Sequence, residues 1–190
     1  MLTIKNIERL RSAVNSKFGF VTESDGGEVE GGFLLGPDQG RSFFERNVLT
    51  DVSIPWFTER LHLLDQREIA NVTAQYDTDD GRAAGWSPEW TVIGQDGGDP
   101  VFIDREDGSV RMARHGVGRW EPVLLAHSFD DFLLTLAVWT EALARHGNSP
   151  LDDDFMPDDT FFGDVRNTLA REGLPVEPME HAWATFMATV

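Results

Sequence analysis

The stretch 86–129, WSPEWTVIGQDGGDPVFIDREDGSVRMARHGVGRWEPVLLAHSF, constrains the fold more than any other part of the chain. It holds three short β-like runs, at 91–93, 100–104 and 110–115, each closed by a glycine-bearing turn. A fourth run, 120–125, leads towards a helix start at Ser128. Short runs rich in Val, Ile and Phe between Gly and Asp read as strands, and Asp107-Gly108 is a strong hairpin signal. Parallel strands need a crossover of a dozen or more residues, and these turns are far shorter. The run therefore predicts an antiparallel meander. Pro88 keeps Ser87 out of a helix, and Trp86 and Trp90 bracket that turn.

Helical spacing flanks the meander on both sides. In 3–14, Ile7, Leu10 and Val14 fall on one face, Lys5, Arg9 and Arg11 keep the other wet, and Thr3 is placed to cap. Residues 61–64 read as a strand. Asp65 then caps a helix, with Glu68 three residues on in a capping-box arrangement and Ile69, Val72 and Tyr76 on its apolar face. The acidic run 77–81 misses the calcium-loop spacing and is expected to be a solvated helix exit ending at Gly81. Ser128 with Asp131, and Arg145-His146-Gly147 at the other end, bound a long helix. Phe129, Phe132, Leu133, Leu136, Leu143 and Ala144 give it one apolar face. Leu134 and Val138 lie on a second face, which the C-terminal segment is expected to cover.

The amino-terminal third is less regular. Glycine pairs punctuate 23–32, 33–35 reads as a strand, 41–49 suits helix or strand, and 53–57 reads as the end of a loop, with Pro55 holding Ile54 extended. After an acidic linker at 149–159, a helix over 159–172 should bury Phe162, Val165 and Leu169 and end at Gly173. Pro178 suits the first turn of a last helix that buries Met179, Trp183, Phe186 and Met187. These elements imply an α+β fold: a mainly antiparallel sheet flanked by helices over 1–149, with a helical extension, 150–190, packed on it. That extension is too short to fold well alone.

Charge excludes more than it selects. The chain carries 33 acidic and 16 basic residues, a net charge of −17, and no cysteine. Nucleic acid as a ligand is disfavoured, because phosphate neutralisation needs Lys and Arg, and anionic membranes repel such a chain. Disulfides, thiolate metal ligands and thiol nucleophiles are absent by composition. No apolar run reaches the roughly 18 residues of a membrane span, so a soluble, cytoplasmic protein is expected. A basic partner would be drawn to this charge.

Catalytic motifs are missing. No serine sits in a GxSxG elbow, and the five histidines form no HExxH pair. Asp96 and Asp99 flank Gly97-Gly98, and His115 stands between Arg114 and Gly116. A small hydrolase built on these three residues is the enzymatic alternative, whereas turn chemistry alone also asks for Asp and Gly at such positions. No cofactor, metal site or catalytic residue is assigned. The candidate binding residues are Asp96, Asp99 and His115 together with Trp86, Trp90 and Trp120, since Trp is over-represented among interface anchors.

Several spaced elements agree in order with one known group. Trp86, the run 90–94, Gly98-Asp99-Pro100, Phe102 to Asp104, His115-Gly116, Gly118, Trp120, Ala126, Ser128-Phe129 and Phe132-Leu133 resemble the SUKH superfamily, named in part after a yeast cell-wall synthesis regulator. The strand-then-helix segment 61–69 fits as well, so the resemblance covers about 61–147, with 18–60 matching poorly. It implies helices packed around a mainly antiparallel sheet. It also implies a non-enzymatic binding protein. Bacterial members are mostly immunity proteins that bind a cognate toxin, often a nuclease, of a polymorphic or contact-dependent system, and the yeast relatives are regulatory interaction modules. The superfamily offers no catalytic residues to carry over.

Overall fold

A computed structural model describes residues 2–18, 53–57, 59–147, 149–152, 154 and 156–187. The readings made for 19–52, including the strand at 33–35 and the segment 41–49, lie outside the described residues, as does the side chain of Met187. In chain order the elements are α1 (Leu2–Phe18), β1 (Ser53–Pro55), β2 (Arg60–Leu63), α2 (Gln66–Tyr76), α3 (Asp79–Ala83), β3 (Trp90–Asp96), β4 (Asp99–Asp104), β5 (Val110–Met112), β6 (Val123–Ala126), α4 (Phe129–His146), α5 (Asp159–Arg171) and α6 (Glu177–Met187).

The six strands form one sheet in sequence order, every neighbouring pair antiparallel. This is the expected meander, extended at its first edge by β2, expected as a strand, and by β1, a strand where a loop end was expected at 53–57. Pro55 suits that edge position because it has no N–H to lend to the ladder. Its carbonyl accepts the Trp139 indole N–H of α4 at 2.7 Å. The last strand begins later than 120 because Trp120 donates its N–H to Ala84 O at 2.8 Å and Pro122 has none to give. Strands β3 and β4 are buried almost throughout, as strands covered on both faces must be.

Local capping chemistry sets the helix starts. Glu68 N donates to Asp65 Oδ1 at 2.8 Å and Asp65 N to Glu68 Oε2 at 2.9 Å, a complete capping box before α2. Ser128 accepts from Asp131 N to start α4, and Asp158 accepts from Thr160 N and Phe161 N to start α5. Two readings are corrected here. The run 77–81 is not simply a helix exit: the Thr78 hydroxyl accepts from Gly81 N and opens the short α3. Thr3 lies within α1, which begins at Leu2.

The second face of α4 is buried as expected, with Val138 fully inside and Leu134 packed against the core, but its main cover differs. Among the described residues, helix α1 makes the most extensive helix–helix contact, along α4. Arg9 of α1 grips Glu141, on the same helical row as Leu134 and Val138, through Nε at 2.7 Å and Nη2 at 3.0 Å. Helix α5 packs on α4 with Phe161, Val165 and Leu169 buried and Phe162 only half-buried. Helix α6 packs on β6 and buries Met179, Ala182 and Phe186, with Trp183 half-buried. Among the described residues, no helix is long and apolar enough to cross a membrane.

Candidate binding surface

The β3–β4 hairpin organises the predicted site residues. Its two central glycines have φ of +62° and +112°, the left-handed region that favours glycine. Asp96 and Asp99 are opposite each other at the feet of the turn. Asp96 is buried and accepts the Glu59 N–H at 3.1 Å. Asp99 is buried too, and its Oδ1 accepts the His115 backbone N–H at 2.8 Å and lies 2.6 Å from His115 Nδ1. The turn is overlaid from both sides: a Cβ on Gly97 would stand 2.6 Å from the Glu59 carboxyl carbon, and one on Gly98 3.3 Å from His115 Cε1.

Tyr76 braces the same turn from α2. Its hydroxyl donates to Gly98 O at 2.9 Å and accepts from Gln95 Nε2 at 2.7 Å. Burial, foremost, pushes the Tyr76 hydroxyl above its ordinary pKa; the Gln95 bond pulls it down and the nearby Asp99 charge raises it. The structure thus brings Asp99 and His115 together and leaves Asp96 on a separate backbone partner. Both carboxylates serve to fix loops by accepting N–H groups, which is turn chemistry. A cleft of about 530 Å³ lies elsewhere, between α1, α4 and α5, lined by Arg9, Glu141, Arg145, Asp164, Thr168, Arg171 and Glu172. Among the described residues, no group of three or more His, Asp or Glu side chains is disposed to hold a metal ion.

The three candidate tryptophans gather in one cluster. Trp86 is 3% exposed. Around it, at ring-centroid distances of 5.0, 5.2 and 5.2 Å, stand Tyr76, Trp90 and Trp120, all half-buried. Trp90 also stacks on Phe102 at 4.5 Å and donates its indole N–H to Asp104 Oδ2 at 3.1 Å. Trp86 is therefore a core residue, while Trp90 and Trp120 keep part of their rings at the surface.

Sequence reasoning missed Glu59, Gln95 and Arg114. The Arg114 guanidinium donates to Phe186 O at 2.6 Å and lies 5.6 Å from the Phe186 ring centroid, holding the end of α6 beside the His115 loop. No local pattern announces that contact, which spans 72 positions.

A family model described as SMI1 / KNR4 family (SUKH-1) matches residues 19–135, more than half of the 190-residue chain. The chain belongs to this family. Its SUKH-1 region starts at 19, so the segment 19–60, which shows little motif resemblance by eye, lies inside it. Helices α1, α5 and α6 and the second half of α4 lie outside the matched region. No curated protein and no solved structure matches the chain. SUKH proteins are known as immunity proteins or regulators, and the superfamily resemblance supplies no catalytic residues to set against the Asp99–His115 contact.

Proposed function

We propose that this protein is an immunity protein, which neutralises a cognate protein toxin in the cytoplasm by stoichiometric binding through its acidic surface. Family membership supports an immunity or regulatory role. The observation that carries the mechanism is the surplus of acid, 33 residues against 16 basic ones. Described arginines are largely committed to internal partners: Arg9 to Glu141 and Glu172, Arg82 to Asp77, Arg105 to Glu89, Arg145 to Asp164 and Arg166 to Glu180. Other described carboxylates, among them Asp79, Asp80, Glu106, Asp152, Asp159 and Glu177, are exposed, where they complement a basic partner such as a nuclease domain built to hold phosphate. Asp96, Asp99 and His115 shape the hairpin surface rather than carry out a reaction. On this reading 1–149 form the binding body and 150–190 a helical extension that supports it.

The test is to co-express the chain with the protein encoded beside its gene and to measure association of the purified pair. A one-to-one complex that abolishes toxicity is expected, and its on-rate and affinity should fall as NaCl rises from about 50 to about 500 mM, because the Debye length shrinks to a few ångströms. Salt-insensitive association would remove the electrostatic mechanism. Binding without neutralisation would assign the protein to the regulatory members instead.

A further inference from the structure

We propose that the half-buried rings of Trp90, Trp120 and Tyr76 form an aromatic shelf that receives an arginine side chain from a basic protein partner. This rests on the immunity reading and assigns it a point of contact. Three half-buried rings stand around the buried Trp86 ring, so the shelf has a packed floor that holds them in place. Tyr76 and Trp120 meet edge to face at 5.5 Å, so their ring planes are not stacked on each other.

The backbone beneath is fixed. Trp86 N donates to Gly81 O at 2.9 Å and Trp120 N to Ala84 O at 2.8 Å, which ties both tryptophans to α3 and its flank. A rigid aromatic surface is what an interface anchor needs, because little side-chain entropy is lost when it is covered. Its electrostatics select the occupant. The nearby guanidinia of Arg82, Arg105 and Arg119 are already paired, with Asp77, Glu89 and Glu121. Exposed Asp79 and Asp80 at the start of α3 have no ion pair among the described residues. The short helix that holds Trp86 and flanks Trp120 therefore carries a net acidic surplus, and the cluster offers indole and phenol rings. That combination suits a planar cation, which stacks on the ring while its edge N–H groups reach carboxylates. The fold already uses the same contact internally, with Arg114 over the Phe186 ring.

The probes are two peptides, hexa-arginine and hexa-lysine, titrated at low salt into the full-length protein labelled for indole N–H detection. The indole signals of Trp90 and Trp120 should move while that of buried Trp139 stays. Hexa-arginine should bind about two- to five-fold more tightly than hexa-lysine, the factor expected of one exposed cation–π contact. Trp120→Leu should abolish that preference, and Trp120→Phe, which keeps a ring and guards against a mere folding defect, should retain part of it. If both peptides bind but the preference survives Trp120→Leu, the shelf is overturned and the acidic-surface reading stands. If neither peptide binds at low salt, both fall together.

Discussion

At the scale of single residues, Asp99 is the hinge between turn and loop. One carboxylate oxygen takes both the backbone N–H and the ring nitrogen side of His115, 16 positions away. Asp99→Ala leaves a part-buried N–H without an acceptor and should cost about 1–3 kcal/mol in a urea titration. Asp99→Asn keeps an acceptor oxygen and should cost roughly half as much. Equal losses would show that the charge, not the acceptor, holds the loop. Asp107 offers a second measurement. The Ser109 hydroxyl and then its backbone N–H, at 2.8 Å, hold the Asp107 carboxyl below its ordinary value of 3.8, with Arg111 adding to this. A depressed carboxylate gives stability that is whole above the unfolded value and is lost as pH falls through the lower folded value, so this contribution fades below about pH 4. Following the Asp107 side-chain carbon by NMR, Ser109→Ala, which removes the hydroxyl and keeps the backbone N–H, should bring its midpoint part of the way back towards 3.8; an unmoved midpoint would leave the backbone N–H and Arg111 as the causes. That Asp96, Asp99 and Asp107 are turn residues was legible from their glycine neighbours. The joining of Asp99 to His115 was not, because nothing local encodes which loop comes to rest on a carboxylate.

Among the elements, the β3–β4 hairpin makes a discriminating case. Gly97 has φ +62°, which Asn also adopts, whereas Gly98 at +112° lies outside the range open to side-chain-bearing residues. Gly97→Asn should therefore cost little once the flexible Glu59 side chain swings aside. Gly98→Asn should cost about 1–3 kcal/mol of backbone strain and displace His115, whose ring stands 3.3 Å from the new Cβ. Thermal denaturation of the two variants checks this; equal midpoints would mean that the turn simply rearranges. The hairpins and helix caps could be read in advance because their requirements are local: Asp65 with Glu68, Ser128 with Asp131, and Asp107-Gly108 each sit within a few positions of one another. What failed was partner assignment. The spacing of Leu134 and Val138 announced a second buried face on α4 but could not say that α1, far off in sequence, would supply most of it through contacts such as Arg9–Glu141. The buried face of α5 was read one residue late, on Phe162, because adjacent phenylalanines give periodicity no way to choose; Phe161 is the one fully buried.

For the molecule as a whole, the sign of the charge was plain from composition, while its distribution needed the structure. Among the described residues, Arg9, Arg82, Arg105, Arg111, Arg119, Arg145 and Arg166 are held in ion pairs. Arg9 sits between two carboxylates, and its bond to Glu141, foremost, raises its pKa above the ordinary arginine value. The net charge of −17 stands with all 16 basic residues counted. Salt then acts in two opposed ways. It screens exposed ion pairs, each worth about 0–1 kcal/mol, and so destabilises. It also screens the mutual repulsion of the surplus carboxylates, and so stabilises. The surplus is long-ranged and shared over the whole surface, whereas the pairs are short, so the second effect should win. Between about 10 and about 150 mM NaCl the Debye length falls from about 30 to about 8 Å, which cuts off repulsion across the molecule but leaves contacts near 3 Å largely intact. The thermal midpoint should accordingly rise over this range, each kcal/mol of relief appearing as about 2–4 °C for a chain of this size. The same salt should weaken capture of a basic partner. A single titration would then move stability up and affinity down, the opposite signs expected if one acidic surface costs the free protein stability and gives it its partner. A midpoint that falls with salt would place the weight on the ion pairs instead.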